Sequence, residues 1–166
     1  ESYVSLRGTG LELSAIVDEL RTFARSNAGN LDLQYSACDL AEEAQSALAS
    51  LEEQFAGAEI TTMPLLDRAV VMADRSRLRQ AFVALFENCC RYAPHSTVSI
   101  ETGVAGEHVF FRCSDTGPGL SEQNRVRVFE RFWRADDSRG RGRGGSGLGL
   151  SIVKAIAQAH QGDAKI

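Results

Sequence analysis

Lysine is almost absent from this sequence, with two residues against sixteen arginines in a chain of 166. Tryptophan occurs once, methionine twice and proline three times. Long apolar runs are missing too. The longest, Ala81-Phe82-Val83-Ala84-Leu85-Phe86, falls far short of the roughly 20 residues that a bilayer of about 30 Å requires. No direct membrane insertion by this segment is expected, and no signal peptide is visible at its start. Positive charge is not in excess: the formal net charge is −4, so bulk electrostatics gives no reason to expect nucleic acid as a partner. The four cysteines (Cys38, Cys89, Cys90, Cys113) lack C-x-x-C spacing, which removes the usual zinc and redox motifs. Each lies in an apolar stretch, where free cysteine behaves as a small hydrophobe, and a reducing, cytoplasmic setting fits best. His95, His108 and His160 are scattered, and no metal site is expected among them. An initiator Met is also lacking, so the chain reads as an excised piece.

What is present is a globular composition, 43% hydrophobic and 24% charged, in a length that suits one domain with a helix to spare. The arginines are uneven, with seven between Arg125 and Arg143. A solvated loop is the plain reading of such a cluster.

Leu13, Ile16, Val17, Leu20, Phe23 and Ala24 fall at three-four spacing, which predicts an amphipathic helix over 11–25 with a narrow apolar seam. Ser26–Asn30 breaks it and marks the boundary between residues 1–29 and 30–166. Beyond, strands and helices alternate. Leu31–Tyr35 reads as a strand, and Asp39 as the N-cap of a helix to about Phe55, with Glu42 completing a capping-box pattern. Glu59–Thr62 and Ala69–Met72 are candidate strands. Asp74 caps a helix to Tyr92, closed by Pro94. Val98–Thr102 and His108–Asp115 form an expected hairpin, with Gly103 and Gly106 in its turn. A last helix runs from about Gly147 to His160, and Asp163–Ile166 begins a strand. The expected fold is α/β (α+β), a two-layer arrangement of mixed sheet and helices.

Three features carry chemistry. On the helix from Asp74 to Tyr92, Leu78, Ala81, Phe82, Leu85 and Cys89 face the core. At about 100° per residue, Ala84, Glu87, Asn88 and Arg91 share the neighbouring stripe. Asn and Glu supply hard oxygens suited to Mg²⁺, and Arg a fork matched to phosphate, although taken alone an ordinary solvated face is the commoner case. In Asp115-Thr116-Gly117-Pro118-Gly119-Leu120, Asp115 ends an apolar row where an unpaired carboxylate is costly. A buried acceptor followed by glycines suits an exocyclic amino group, while Asp-x-Gly is also a common turn. Gly144–Leu150 is a glycine-rich entry to a helix whose N–H groups favour anions. It is neither a P-loop nor a good dinucleotide fingerprint.

In order and spacing these features resemble the ATP-binding domain of sensor histidine kinases, of the Bergerat type. Glu87–Tyr92 resembles the N box and Asp115–Leu120 the first glycine box. Phe129–Arg134 looks like the F box and Gly145–Leu150 like the second glycine box. Ile16–Leu20 is similar to the end of the second helix of the dimerisation hairpin. The resemblance implies a mixed sheet under three helices. It implies that Asn88 ligands Mg²⁺, Arg91 contacts phosphate, Tyr92 packs near adenine and Asp115 accepts from the adenine amino group. Gly117, Gly119 and Leu120 would shape that pocket. Phe129 and Phe132 would anchor a lid over 130–146, with Arg134 a candidate contact. Gly145, Gly147 and Gly149 would let the lid close, with N–H groups toward phosphate, and Ser146, Leu148 and Leu150 would join Gly147 and Gly149 among the ATP-binding residues. Glu87 is a secondary catalytic candidate.

Three departures stand out. Ala84 occupies a position where the family commonly has a second Asn, or a water-activating Glu in the related ATPases. No phosphoacceptor His in its usual context is present; it would belong to an upstream segment that was cut away, or to another chain of a split kinase. The final strand pair is missing. The resemblance therefore implies a module that binds Mg²⁺-ATP and phosphorylates a histidine on a dimerisation hairpin, serving a response regulator indirectly. The alternatives are a non-catalytic nucleotide-binding module and a stand-alone ATPase.

Overall fold

A computed structural model describes residues 32–135 and 146–166. The predicted helix over 11–25 lies outside the described residues. The chain runs β1 (Tyr35–Asp39), α1 (Leu40–Ser50), α2 (Glu52–Gly57), β2 (Thr61–Leu66), β3 (Val70–Asp74) and α3 (Arg75–Tyr92), then β4 (Thr97–Ala105), β5 (His108–Asp115), α4 (Glu122–Arg127) and α5 (Gly149–Ala159). β1 and β3 pair antiparallel; β2 runs parallel to β4, which pairs antiparallel with β5. Helices and mixed sheet are as expected, with the strands divided two and three.

Asp39 and Asp74 cap α1 and α3 as predicted. Asp39 Oδ1 accepts from Ala41 N–H at 3.1 Å, and Asp74 Oδ1 accepts from Ser76 and Arg77 N–H at 3.0 and 3.1 Å. Several bounds differ from expectation. The first strand starts at Tyr35 rather than Leu31. The first long helix breaks at Leu51 (φ −117°) instead of reaching Phe55 unbroken, and α2 carries Phe55 into the core. Gly103 sits within β4, not in the turn. The Phe110 ring lies against it, 3.0 Å from where a Cβ would stand. Among the described residues no strand follows α5.

α3 is buried on two sides. Phe82, Phe86 and Cys89 join Leu40, Ala44, Ala47, Phe55, Val98 and Ile100 in the main core, with Val109, Phe111 and Cys113 of β5 against them. Phe82 stacks on Phe111 at 4.1 Å between centroids. Ala81 instead joins Leu148, Ile152, Val153 and Ile156 of the α5 region, with Ala84 and Leu85 packed alongside. The single core face expected for α3 is thus two faces, and Ala84 belongs to the α5 contact. The cause is non-local, because the second face exists only where α5 docks.

His160 closes the far end of α5. Its Nδ1 donates to Ile156 O at 2.8 Å, and its Nε2 accepts from Asp74 N–H at 2.9 Å. The ring thus ties the end of α5 to the start of α3. Tyr35 meets the same ring edge-on.

Candidate nucleotide site

The last two turns of α3 carry Glu87, exposed, and Asn88, Arg91 and Tyr92, each half-buried. The helix ends at Ala93, whose N–H reaches Cys89 O at 2.8 Å and whose carbonyl accepts from the Ser96 hydroxyl at 2.6 Å. The glycine loop after β5 comes to rest on this end. Thr116 clasps Thr97 twice: its N–H donates to Thr97 O (3.1 Å), and its Oγ1 accepts from Thr97 N–H (3.0 Å). A Cβ at Gly117 would stand 2.7 Å from both Ala93 Cβ and Asp115 Oδ1, so only glycine admits this approach. Gly119 takes φ +67°, again a glycine conformation, and half-buried Leu120 follows.

Asp115 is exposed, contrary to the burial expected of it. Alternation along β5 holds as far as Cys113, but the strand's last residues, Ser114 and Asp115, are both exposed. There Gly117 N–H donates to Oδ1 at 2.9 Å, which fixes one side of the exposed carboxylate.

The F-box region and the second glycine box meet through backbone. Phe132 N–H donates to Gly147 O at 3.0 Å. Gly147 has φ +73°, and a Cβ on it would lie 2.9 Å from Phe132 Cα and C. Phe132 itself has φ +59°, and its residue is 59% exposed. Its main chain thus joins the junction directly. Phe129 anchors with its ring, under the Lys154 ammonium of α5 at 5.0 Å. Arg134 is half-buried and lines a polar cavity of about 600 Å³ with Phe132, Arg127, Arg131, Asn124 and Trp133. That cavity includes neither Asn88 nor Asp115.

Ser146 Oγ accepts from Leu148 N–H at 3.1 Å, so that amide is engaged rather than turned toward an anion. Leu148 is fully buried, Leu150 half-buried, and Gly149 opens α5 with its Cβ position 3.9 Å from Ala84 Cβ. α3 is therefore the common wall, meeting the first glycine box at Ala93 and the second at Ala84. Sequence reasoning missed Ala93 and Thr116 as the seat of the first loop. The signal was a small residue at the helix end and a Thr beside the acidic residue. It also missed that Cys89 and Cys113 meet, with sulfurs 3.6 Å apart. The Cys113 thiol beside Cys89, together with burial, pushes the Cys89 thiol well above the ordinary cysteine range.

The sequence profile of the family described as "Histidine kinase-, DNA gyrase B-, and HSP90-like ATPase" matches residues 73–166, from the end of β3 through α5. The chain belongs to this family. Within it, this is a catalytic domain of the histidine kinase type. The Escherichia coli signal transduction histidine-protein kinase BaeS is 35% identical over 98% of this chain and 35% of its own length. Among solved structures, the Acinetobacter baumannii histidine kinase AdeS superposes with a TM-score of 0.78 at 27% identity, over 95% of this chain and 72% of that one. The mycobacterial sensor histidine kinase MprB gives 0.67 at 27% identity, over 77% and 81%. The chain spans about a third of the length of the curated relatives it matches.

Proposed function

We propose that this histidine kinase domain binds Mg²⁺-ATP and donates the γ-phosphoryl group to a histidine on a dimerisation hairpin. That hairpin is either upstream in the same kinase or on a separate chain, and residues 1–29 are read as the end of its second helix and a linker. The observation that carries the proposal is the seating of the first glycine loop on the end of α3. Gly117 packs on Ala93 at the end of the helix that bears Asn88, Arg91 and Tyr92 and also holds Asp115, which supports a shared site for these residues.

In this reading Asp115 Oδ2 accepts the exocyclic amino hydrogen of adenine while Gly117 N–H holds Oδ1. Tyr92 packs near the base, and Gly117 and Gly119 let the base approach the backbone. Asn88 offers one amide oxygen. That suits Mg²⁺, which keeps several waters and uses substrate phosphates beside one or two protein oxygens. Bound there, the ion would neutralise charge on the phosphates. Arg91 adds a fork for a phosphate oxygen, and Glu87 is a secondary contact. Such transfer depends mainly on positioning and charge stabilisation, so the domain needs no nucleophile of its own. A response regulator would receive the phosphoryl group from the hairpin. The site is proposed to work in the cytoplasm; among the described residues no helix is long and apolar enough to cross a membrane.

Incubation with γ-labelled ATP and Mg²⁺, alongside equilibrium titration of ATP, tests this. Saturable Mg²⁺-dependent binding, with neither label on the chain nor steady phosphate release, is expected. Absence of binding by folded protein refutes the reading. Steady release of phosphate makes the domain an ATPase, and acid-labile label on the chain itself would put the acceptor within it.

A further inference from the structure

Three features take no part in the proposed transfer: the polar cavity beside α4, the exposed apolar residues Tyr35, Val70 and Met72 on β1 and β3, and the sulfur pair Cys89–Cys113. The cavity abuts the F-box junction already described, and nothing shows what covers the apolar patch. The sulfur pair carries an inference.

Cys89 lies on α3 immediately after Asn88, and Cys113 lies on β5 two residues before Asp115. The two thiols bridge the walls of the proposed nucleotide site. Their sulfurs are 3.6 Å apart and in hydrogen-bond contact, and both cysteines are free. Cys89 is buried, whereas Cys113 is partly open to solvent. Cys90 shares the helix and packs against the same core, with Cys89, Glu87 and Arg91 nearby.

We propose that Cys89 and Cys113 are a peroxide-sensitive dithiol that closes to a disulfide across the nucleotide site and so lowers its affinity reversibly. The chemistry balances in two steps. The Cys113 sulfur displaces hydroxide from a peroxide, giving a sulfenic acid and, with the thiol proton, one water. The Cys89 sulfur then attacks that sulfur from contact distance; its proton leaves with the hydroxyl as a second water, and the S–S bond forms. Peroxide is reduced and the two thiols are oxidised.

Bonding requires the sulfurs to close from 3.6 Å to about 2.05 Å. That draws α3 and β5 together next to Asn88 and Asp115. Displacement on the order of 1 Å at a positioned group can cost about 100-fold in a reaction that depends on position. A fall in ATP affinity of roughly tenfold or more is expected, restored by dithiothreitol.

This inference rests on the proposed nucleotide site only for its second readout. The 166-residue chain would be treated with hydrogen peroxide and examined by intact mass and peptide mapping, then by ATP titration. The expected result is a loss of two hydrogens, mapped to a Cys89–Cys113 crosslink, with weakened binding that dithiothreitol reverses. Cys113→Ser and Cys89→Ala should each bind ATP as the reduced chain does and resist peroxide. Two variants guard against one that fails to fold. No crosslink, or one involving Cys90, overturns the site. A mapped crosslink with unchanged ATP affinity overturns the coupling. Failure of the reduced chain to bind ATP, with the crosslink still formed, counts against the nucleotide reading instead and overturns the switch.

Discussion

Asp74 and Asp115 stand at opposite ends of the α3 region and are held very differently. Four hydrogen bonds fill the Asp74 carboxylate: Ser76 N–H, Ser76 hydroxyl and Arg77 N–H on Oδ1, and Gln34 N–H on Oδ2. Its own N–H goes to His160, so β1, β3, α3 and α5 are tied at one residue. Nearby, Glu43 is 1% exposed and takes Arg75 and Arg79 at 2.9 and 3.1 Å, which clasps α1 to α3. Asp115, by contrast, is exposed and has Gly117 N–H on one oxygen only. A carboxylate saturated by its own protein is an anchor; one held at a single oxygen can still accept from a ligand. α3 is pinned where it starts and, in the proposed reading, open for recognition where it ends.

Asn88→Ala probes the open end and carries the largest expected effect. Phosphoryl transfer to an added hairpin should fall by about 100-fold or more, while thermal stability changes by less than about 0.5 kcal/mol, as for a substitution that removes no structural contact. A large loss of melting temperature would instead make this end as structural as the start. Asp74→Ala is the mirror experiment. Loss of the N-cap should cost about 2 kcal/mol in urea unfolding, with ATP affinity of the folded fraction unchanged.

The anchored end should also show in acid. Burial alone would raise the Asp74 carboxyl, but the hydrogen bonds from Gln34, Ser76 and Arg77 outweigh it and hold the group below the usual value of 3.8. Asp39 is likewise lowered, chiefly by Ala69 N–H, with Ala41 N–H and Arg68 adding to it. Groups depressed in the folded state stabilise fully above the unfolded value, and that stability is lost as pH falls through the folded one. Asp74→Asn keeps a capping oxygen without the titration. Its urea midpoint should therefore fall less than that of the parent between pH 6 and pH 3; equal falls would remove Asp74 from the acid response.

Gly117→Ala tests what joins the first glycine box to α3. A methyl 2.7 Å from Ala93 Cβ and Asp115 Oδ1 must push the loop off its seat. ATP affinity is expected to drop about tenfold, with a smaller change in stability, because the loop lies at the surface. Unchanged affinity would mean that the seat on Ala93 does not position Asp115.

The anchored features were the more legible ones. Asp39 and Asp74 were readable as caps because capping is local chemistry, and α3 ends at Tyr92 as its Ala-Pro boundary predicts. The side of Val109, Phe111 and Cys113 was readable from alternation alone. What the chain hid depends on distant partners. Nothing local breaks the helix at Leu51, where neither Gly nor Pro stands. Gly103 looked like a turn residue until Phe110, its cross-strand partner, was seen to occupy its empty side. The backbone bond from Phe132 to Gly147 joins segments 15 residues apart. Exposure of Asp115 and the meeting of Cys89 with Cys113 likewise required the arrangement of α3 over β5.

The smallest expected effect extends the same contrast to ion pairs. Arg112 meets Glu101 at 3.0 Å across the β4–β5 register, with side chains 62% and 31% exposed, and also lies over the Phe110 ring at 5.5 Å. Water already solvates both charges, so the pair gains little: Arg112→Ala should cost about 0.5 kcal/mol, and less at high salt. Arg79→Ala removes one of two partners from a carboxylate that water cannot reach, and should cost several times more. The two variants differ in one physical respect, access of solvent to the acid. If urea unfolding gave them equal costs, burial of Glu43 would not be what makes the α1–α3 clasp an anchor, and the division of α3 into a pinned end and an open one would rest on the Asp74 cap alone.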